Sequence, residues 1–175
     1  MPKRYIPRDV AEIQKELEGE NDRAAILVGA AMADHGLEQC IKSRLRPAAS
    51  KTEESMLFTE GGIFGNYKEK VLAAYFMRLI GPLTKKDLGL VGSIRNQTAH
   101  DMNPISFVGT EEIRSRCEQI NLAKESIPGT ARSIDVRGYY TFTASFLFTL
   151  LMLRANDHLA TLKEAAATMA PWPDR

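Results

Sequence analysis

The feature that most constrains this chain is the run of residues 24–33, from Ala24 to Ala33, in which every position is apolar or glycine. At about 100° per residue such a run is apolar around the whole circumference of a helix, so it belongs among other helices rather than on a surface. The residues before it, Glu20-Asn21-Asp22, carry the acidic and amide groups that suit the positive end of a helix dipole. Beyond it Leu37, Ile41 and Leu45 narrow to a stripe that ends at Pro47. A central helix of this kind needs covering helices.

The remaining sequence supplies them. A first helix is predicted over 8–18, with Val10, Ile13 and Leu17 on one face and Gly19 ending it. Residues 48–65 are polar and glycine-rich and read as a loop, with a helical turn at 53–58. A third main helix is expected from Tyr67 to Ile80, stopped by Gly81-Pro82. Thr84 is the expected cap of a fourth, which carries Leu88, Leu90, Val91 and Ile94 and fades near His100 or Asp101. Asn103-Pro104 breaks the chain, Thr110 caps a fifth helix over 111–122, and Ile127-Pro128-Gly129 makes a turn. A long last helix is expected over 135–167, before a loose tail at 168–175 that holds Pro171-Trp172-Pro173. The fold class is therefore all-α: a single helical bundle over 1–175 with its core at about 8–167.

Composition narrows the function. With 44% hydrophobic and 26% charged residues the chain has the balance of a globular domain, and a net charge of +1 gives no global field toward nucleic acid. The most apolar stretch, 139–153, is interrupted by Thr141, Thr143, Ser145 and Thr149 and is shorter than the roughly 20 residues that span a bilayer. No apolar h-region follows Met1-Pro2-Lys3-Arg4-Tyr5, so a cytoplasmic protein without a membrane partner is expected. Cys40 and Cys117 are in no CxxC pairing and are expected reduced, one structural disulfide being the alternative. His35, His100 and His158 are too dispersed for a metal site. Gly61-Gly62-Ile63-Phe64-Gly65 lacks the lysine of a phosphate-binding loop, so neither metal nor cofactor is expected. Phe142, Phe146 and Phe148 read as core or dimer contact, because no basic residues interleave with them.

On a helical wheel the fourth helix divides into two faces. Leu83, Leu90, Val91, Ile94 and Thr98 share the expected core face, while Gly89, Gly92, Ser93, Asn96 and His100 share the opposite one; Arg95 and Leu88 lie at the border. Each glycine inside a helix costs on the order of 1 kcal/mol relative to alanine. Gly89, Gly92 and Ser93 therefore mark a close approach, by a partner subunit, a ligand or a neighbouring helix of the same chain. Arg23 lies in the first turn of the central helix, where its charge opposes the dipole and calls for Glu20, Asp22 or a bound anion. Asp22, Arg23 and Arg95 are accordingly the candidate binding residues for a nucleotide or small ligand.

The segments Glu20-Asn21-Asp22-Arg23-Ala24-Ala25 and Ile94-Arg95-Asn96-Gln97-Thr98-Ala99-His100-Asp101 resemble the mannitol operon repressor family, a HEPN-like group. Leu57-Phe58 with Gly61-Gly62, Leu79-Ile80-Gly81-Pro82-Leu83, and Asn103-Pro104-Ile105-Ser106-Phe107 continue the likeness in order, over roughly residues 20–107. The resemblance implies a HEPN-like all-α fold, a homodimer and a regulator of transcription. No helix-turn-helix is evident, and the basic residues are scattered as Lys3, Arg4 and Arg8, Lys42, Arg44 and Arg46, and Lys85 and Lys86. Regulation through a protein partner thus stands beside atypical DNA contact. The resemblance also implies an alternative, a metal-independent ribonuclease acting on RNA through Arg95, Asn96 and His100. In it His100 is the general acid/base, Arg95 holds the scissile phosphate and Asn96 orients the phosphate or the histidine. Against both stands a structural reading, with Arg95 paired to an acid such as Asp22 and His100 capping its helix.

Overall fold

A computed structural model describes the backbone of residues 10–45, 50–122 and 135–168, and side chains within these from residue 12 to residue 156. Among the described residues there are seven helices and no strand: α1 (Val10–Gly19), α2 (Asp22–Lys42), α3 (Lys51–Phe58), α4 (Tyr67–Phe76), α5 (Pro82–His100), α6 (Glu111–Glu118) and α7 (Val136–Thr168). The protein is an all-α bundle. None of these helices is long and apolar enough to cross a membrane. The expected residue Arg8, the turn at Ile127-Pro128-Gly129 and the tail after Thr168 lie outside the described residues.

Helix α2 is the axis of the bundle, packed most extensively against α7 and also against α5, α4 and α1. Asn21 caps it, its side chain accepting from the Ala24 amide at 2.9 Å. The α2–α7 approach is close because α2 presents glycine. A Cβ on Gly29 would stand 3.0 Å from the Ala144 Cβ, and one on Gly36 would stand 3.1 Å from the Leu151 Cβ. Tyr140 of α7 is fully buried in this seam and donates its hydroxyl to the Ile26 carbonyl at 2.7 Å. Ile13 and Leu17 of α1 are also fully buried. The apolar run of α2 is not enclosed on every side, however. Val28 is 37% exposed and Ala31 is exposed, because the covering helices leave one strip of α2 open.

Several boundaries differ from their expected places: α2 ends at Lys42, short of Leu45, and the turn expected at 53–58 is a helix that starts at Lys51. Helix α4 ends at Phe76 rather than Ile80: Arg78 turns left-handed at φ 59° and the Leu79 amide reaches back to the Ala74 carbonyl at 2.9 Å, burying Leu79. Gly81-Pro82 does not stop that helix but opens the next. Gly81 is the N-cap of α5 and Pro82 its first residue, so Thr84 lies inside the helix instead of capping it. Proline suits this place because its fixed φ is helical and its missing N–H has no partner to lose there. Helix α6 begins after Thr110 as expected but ends at Glu118, short of Leu122. The Gln119 and Ile120 amides reach back to the Arg116 and Cys117 carbonyls, and the two that follow go to the buried carboxylate of Asp87, which accepts from Leu122 N at 2.8 Å and Asn121 N at 3.1 Å.

Charged side chains bind α4 and α3 to α2. Lys70, only 3% exposed, pairs with Asp34 at 2.9 Å and Glu38 at 3.4 Å, and Lys42 joins Glu38 at 2.7 Å and also Glu54. Cys40 and Cys117 are unpaired, buried thiols on different helices.

Candidate functional site

The site is a groove between α4 and α5, and it begins with the way α4 is started. Asn66 accepts from the Glu69 amide at 3.0 Å while Glu69 accepts from the Asn66 amide at 3.4 Å, a reciprocal cap that fixes the first turn of α4. Tyr67, the first residue of that helix, is thereby laid across α5. Its ring covers Gly92 and its hydroxyl donates to the Leu88 carbonyl at 3.0 Å. Burial, and then the Asp34 carboxylate, push the Tyr67 phenol far above its ordinary pKa, so it acts as a fixed neutral donor.

Beside this contact the helices diverge and leave a groove of about 590 Å³. Val71 and Leu72 of α4 form an apolar wall, and Gly89 and Ser93 of α5 form the floor. A Cβ on Gly89 would meet nothing within 4 Å, so the floor is open there. The rim carries Lys68, Lys85, Arg95 and Asn96, and no carboxylate is among the lining residues. Lys85 is held over the Tyr75 ring at 4.3 Å, which positions its charge at one end of the groove. Arg95 donates from Nη1 to the Asn96 Oδ1 at 2.9 Å, and both side chains are exposed. His100, the last residue of α5, is exposed on the same side of the helix two turns beyond Ser93. Three cations, an amide and a hydroxyl facing one open groove are suited to phosphate or carboxylate oxygens.

The structure separates the other expected site residues from this group. Arg23 takes neither Glu20 nor Asp22 nor an open position for an anion. Its guanidinium donates to the carbonyls of Thr98 at 2.6 Å, Asp101 at 2.9 Å and Asn103 at 2.7 Å. It closes the carbonyl end of α5, where a cation is favoured. Asp22 is engaged by Arg137 at 2.5 Å and by the Phe107 amide at 3.0 Å, and therefore does not pair with Arg95. Arg137 in turn donates to the carbonyls of Leu17 and Glu18 at the end of α1. Asp22 and Arg23 thus join the helix ends together, and only Arg95 of the expected binding set reaches the groove.

The small-residue face of α5 is split in the same way. Gly92 is the tight crossing with Tyr67 of the same chain, whereas Gly89 and Ser93 line open space. The expected core face holds at Val91, Ile94 and Thr98, which are fully buried, and differs in the first turns, where Leu83 is 47% exposed while Asp87 and Leu88 are fully buried.

No known family, curated protein or solved structure matches this chain. Lys68 and Tyr67 escaped the sequence reading because nothing local ties α4 to α5. Lys85 carried a signal, standing four residues before Gly89 and hence on the same face. Among the described residues no group of His, Cys, Asp and Glu is placed to hold a metal ion.

Proposed function

We propose that this protein is a regulator of transcription of the mannitol-repressor type that holds a nucleic-acid backbone in the α4–α5 groove without a helix-turn-helix. The observation that carries this reading is the rim of Lys68, Lys85 and Arg95 around a groove whose lining includes no carboxylate. Uncompensated cations on one concave face attract phosphates locally even where the net charge is only +1. The groove favours nucleic-acid binding over the protein partner that the sequence left equally open. The test is fluorescence anisotropy of a labelled DNA duplex over a salt series, for wild type and for Lys68→Gln/Lys85→Gln/Arg95→Gln. Each phosphate that the variant fails to neutralise should flatten the slope of log K against log salt by about 0.9. An unchanged slope in the folded triple variant refutes the reading.

A second reading, metal-independent cleavage of RNA, is favoured by one specific arrangement. Arg95, Asn96 and His100 are all exposed on α5, and Arg95 is held by Asn96 rather than by an acid. In this reaction the RNA 2′-hydroxyl gives its proton to a base and attacks phosphorus. The P–O5′ bond breaks, the leaving oxygen is protonated, and a cyclic phosphate remains. His100 would move the proton, Arg95 would neutralise the phosphorane charge, and Asn96 would hold Arg95 in plane. A homodimer bringing two α5 edges together would complete such a site. Metal-free cleavage of total RNA by wild type, abolished in both His100→Ala and Arg95→Ala, would establish it. Its absence leaves the regulator alone.

A further inference from the structure

At the far end of α4 the chain adopts a conformation that its sequence disfavours. Arg78 has φ 59°, the left-handed region in which a Cβ crowds the backbone and which helix ends usually give to glycine. The backbone bonds of the turn, Met77 N to Ala73 O at 2.9 Å and Leu79 N to Ala74 O at 2.9 Å, need only the left-handed turn itself, which glycine makes without strain. What arginine adds is its guanidinium, and Arg78 lines a pocket of about 540 Å³.

A second arginine, Arg154 of α7, lines the same pocket, and no acidic residue does. Neither guanidinium makes an ion pair or hydrogen bond among the described residues; the Arg78 backbone amide donates to the Tyr75 carbonyl at 3.0 Å. The rest of the lining is mainly apolar, from Tyr75, Phe76 and Ile80, and Phe76 is 76% exposed. Gly81, the N-cap of α5 without a side-chain cap, completes the wall.

We propose that this pocket is a second anion site, taking a phosphate monoester carried on a small aromatic or apolar body. Two planar guanidinium forks match the several oxygens of a phosphate better than the two of a carboxylate. The exposed Phe76 edge beside them offers its face to the body of the ligand. None of the residues on the rim of the α4–α5 groove lines this pocket, and the two adjoin where Lys85 rests on the Tyr75 ring; Arg78 and Arg154 belong to this pocket and not to the groove.

The test is a titration of isotope-labelled protein with phenyl phosphate, followed at the backbone amides of Leu79 and Leu83. Wild type should show saturable shifts there, and Arg78→Gly and Arg154→Gln should each weaken binding about tenfold or more. Arg78→Gly removes the guanidinium while relieving the backbone, so it should melt no lower than wild type; weaker binding then cannot be put down to unfolding. Absence of saturable shifts in wild type, or full binding by Arg78→Gly, overturns the proposal. Equal binding of benzoate overturns the assignment to a phosphate monoester, and equal binding of inorganic phosphate overturns the role of the apolar wall.

Discussion

The Tyr67 ring fills the space that a side chain at position 92 would need: a Cβ on Gly92 would stand 2.6 Å from its Cε1 and 2.8 Å from its Cδ1. The ring cannot swing aside easily, because its hydroxyl is bonded to the Leu88 carbonyl one turn earlier on α5. One contact therefore sets both the α4–α5 crossing and the width of the groove beside it.

The two glycines of α5 should consequently respond in opposite directions to alanine. Gly92→Ala should lower the unfolding free energy by about 1–3 kcal/mol through overpacking against Tyr67, partly offset by better helix propensity. Gly89→Ala, whose Cβ meets nothing, should raise it by about 0.5–1 kcal/mol. Urea unfolding of the pair measures both, and destabilisation by Gly89→Ala would contradict the open floor.

Arg23 should behave as a structural residue. Arg23→Gln removes the planar fork that serves three carbonyls at the end of α5 and should cost about 1.5–3 kcal/mol. Arg23→Lys should not restore it, since an ammonium cannot match those directions. Thermal denaturation checks this; a wild-type melting point for Arg23→Lys would show that charge alone suffices.

Asp87 should hold the chain beyond α6. Asp87→Ala leaves the half-buried amides of Asn121 and Leu122 without their acceptor, at about 1 kcal/mol for each lost bond. Hydrogen exchange should accelerate first at those two amides, ahead of the amides of α2.

Acid should loosen the α2–α4 contact. Burial alone would raise the Glu38 carboxyl, but its hydrogen bond and charge pairing with Lys42, and then the Lys70 charge, outweigh it and hold the group below its ordinary 4.5. Because the unfolded chain takes up that proton at higher pH than the folded one, the contribution is complete above 4.5 and is lost as pH falls through the lower folded value. Glu38→Gln should flatten the decline in stability between neutral pH and that acid limb. At the alkaline end burial pushes the Cys117 thiol up to about 12 from an ordinary 9.0, so it should resist a thiol reagent in the native protein at pH 8.

What the sequence carried legibly is local. The Asn21 cap, the period of Ile13 and Leu17, and the apolar run from Ala24 depend on residues within a turn or two of one another, so the helices and the all-α class could be read directly. Gly81-Pro82 shows the limit of such signals, since the same pair can end one helix or begin the next. The choice fell to the burial of Leu79 behind a left-handed Arg78. Arg95, Asn96 and His100 were legible as a motif, but not their surroundings.

Tertiary structure decided the rest. Arg23 finds its carbonyls 75 to 80 residues away, and Asp22 finds Arg137 at a separation of 115, distances over which no periodicity speaks. The groove exists because Tyr67 wedges α4 against Gly92 and lets the helices part beyond it, bringing Lys68 opposite Lys85 and Arg95. Backbone hydrogen bonds and apolar spacing act within a helix and are written in adjacent residues; which faces meet, and which charges are left without a partner, is set by packing among helices distant in sequence.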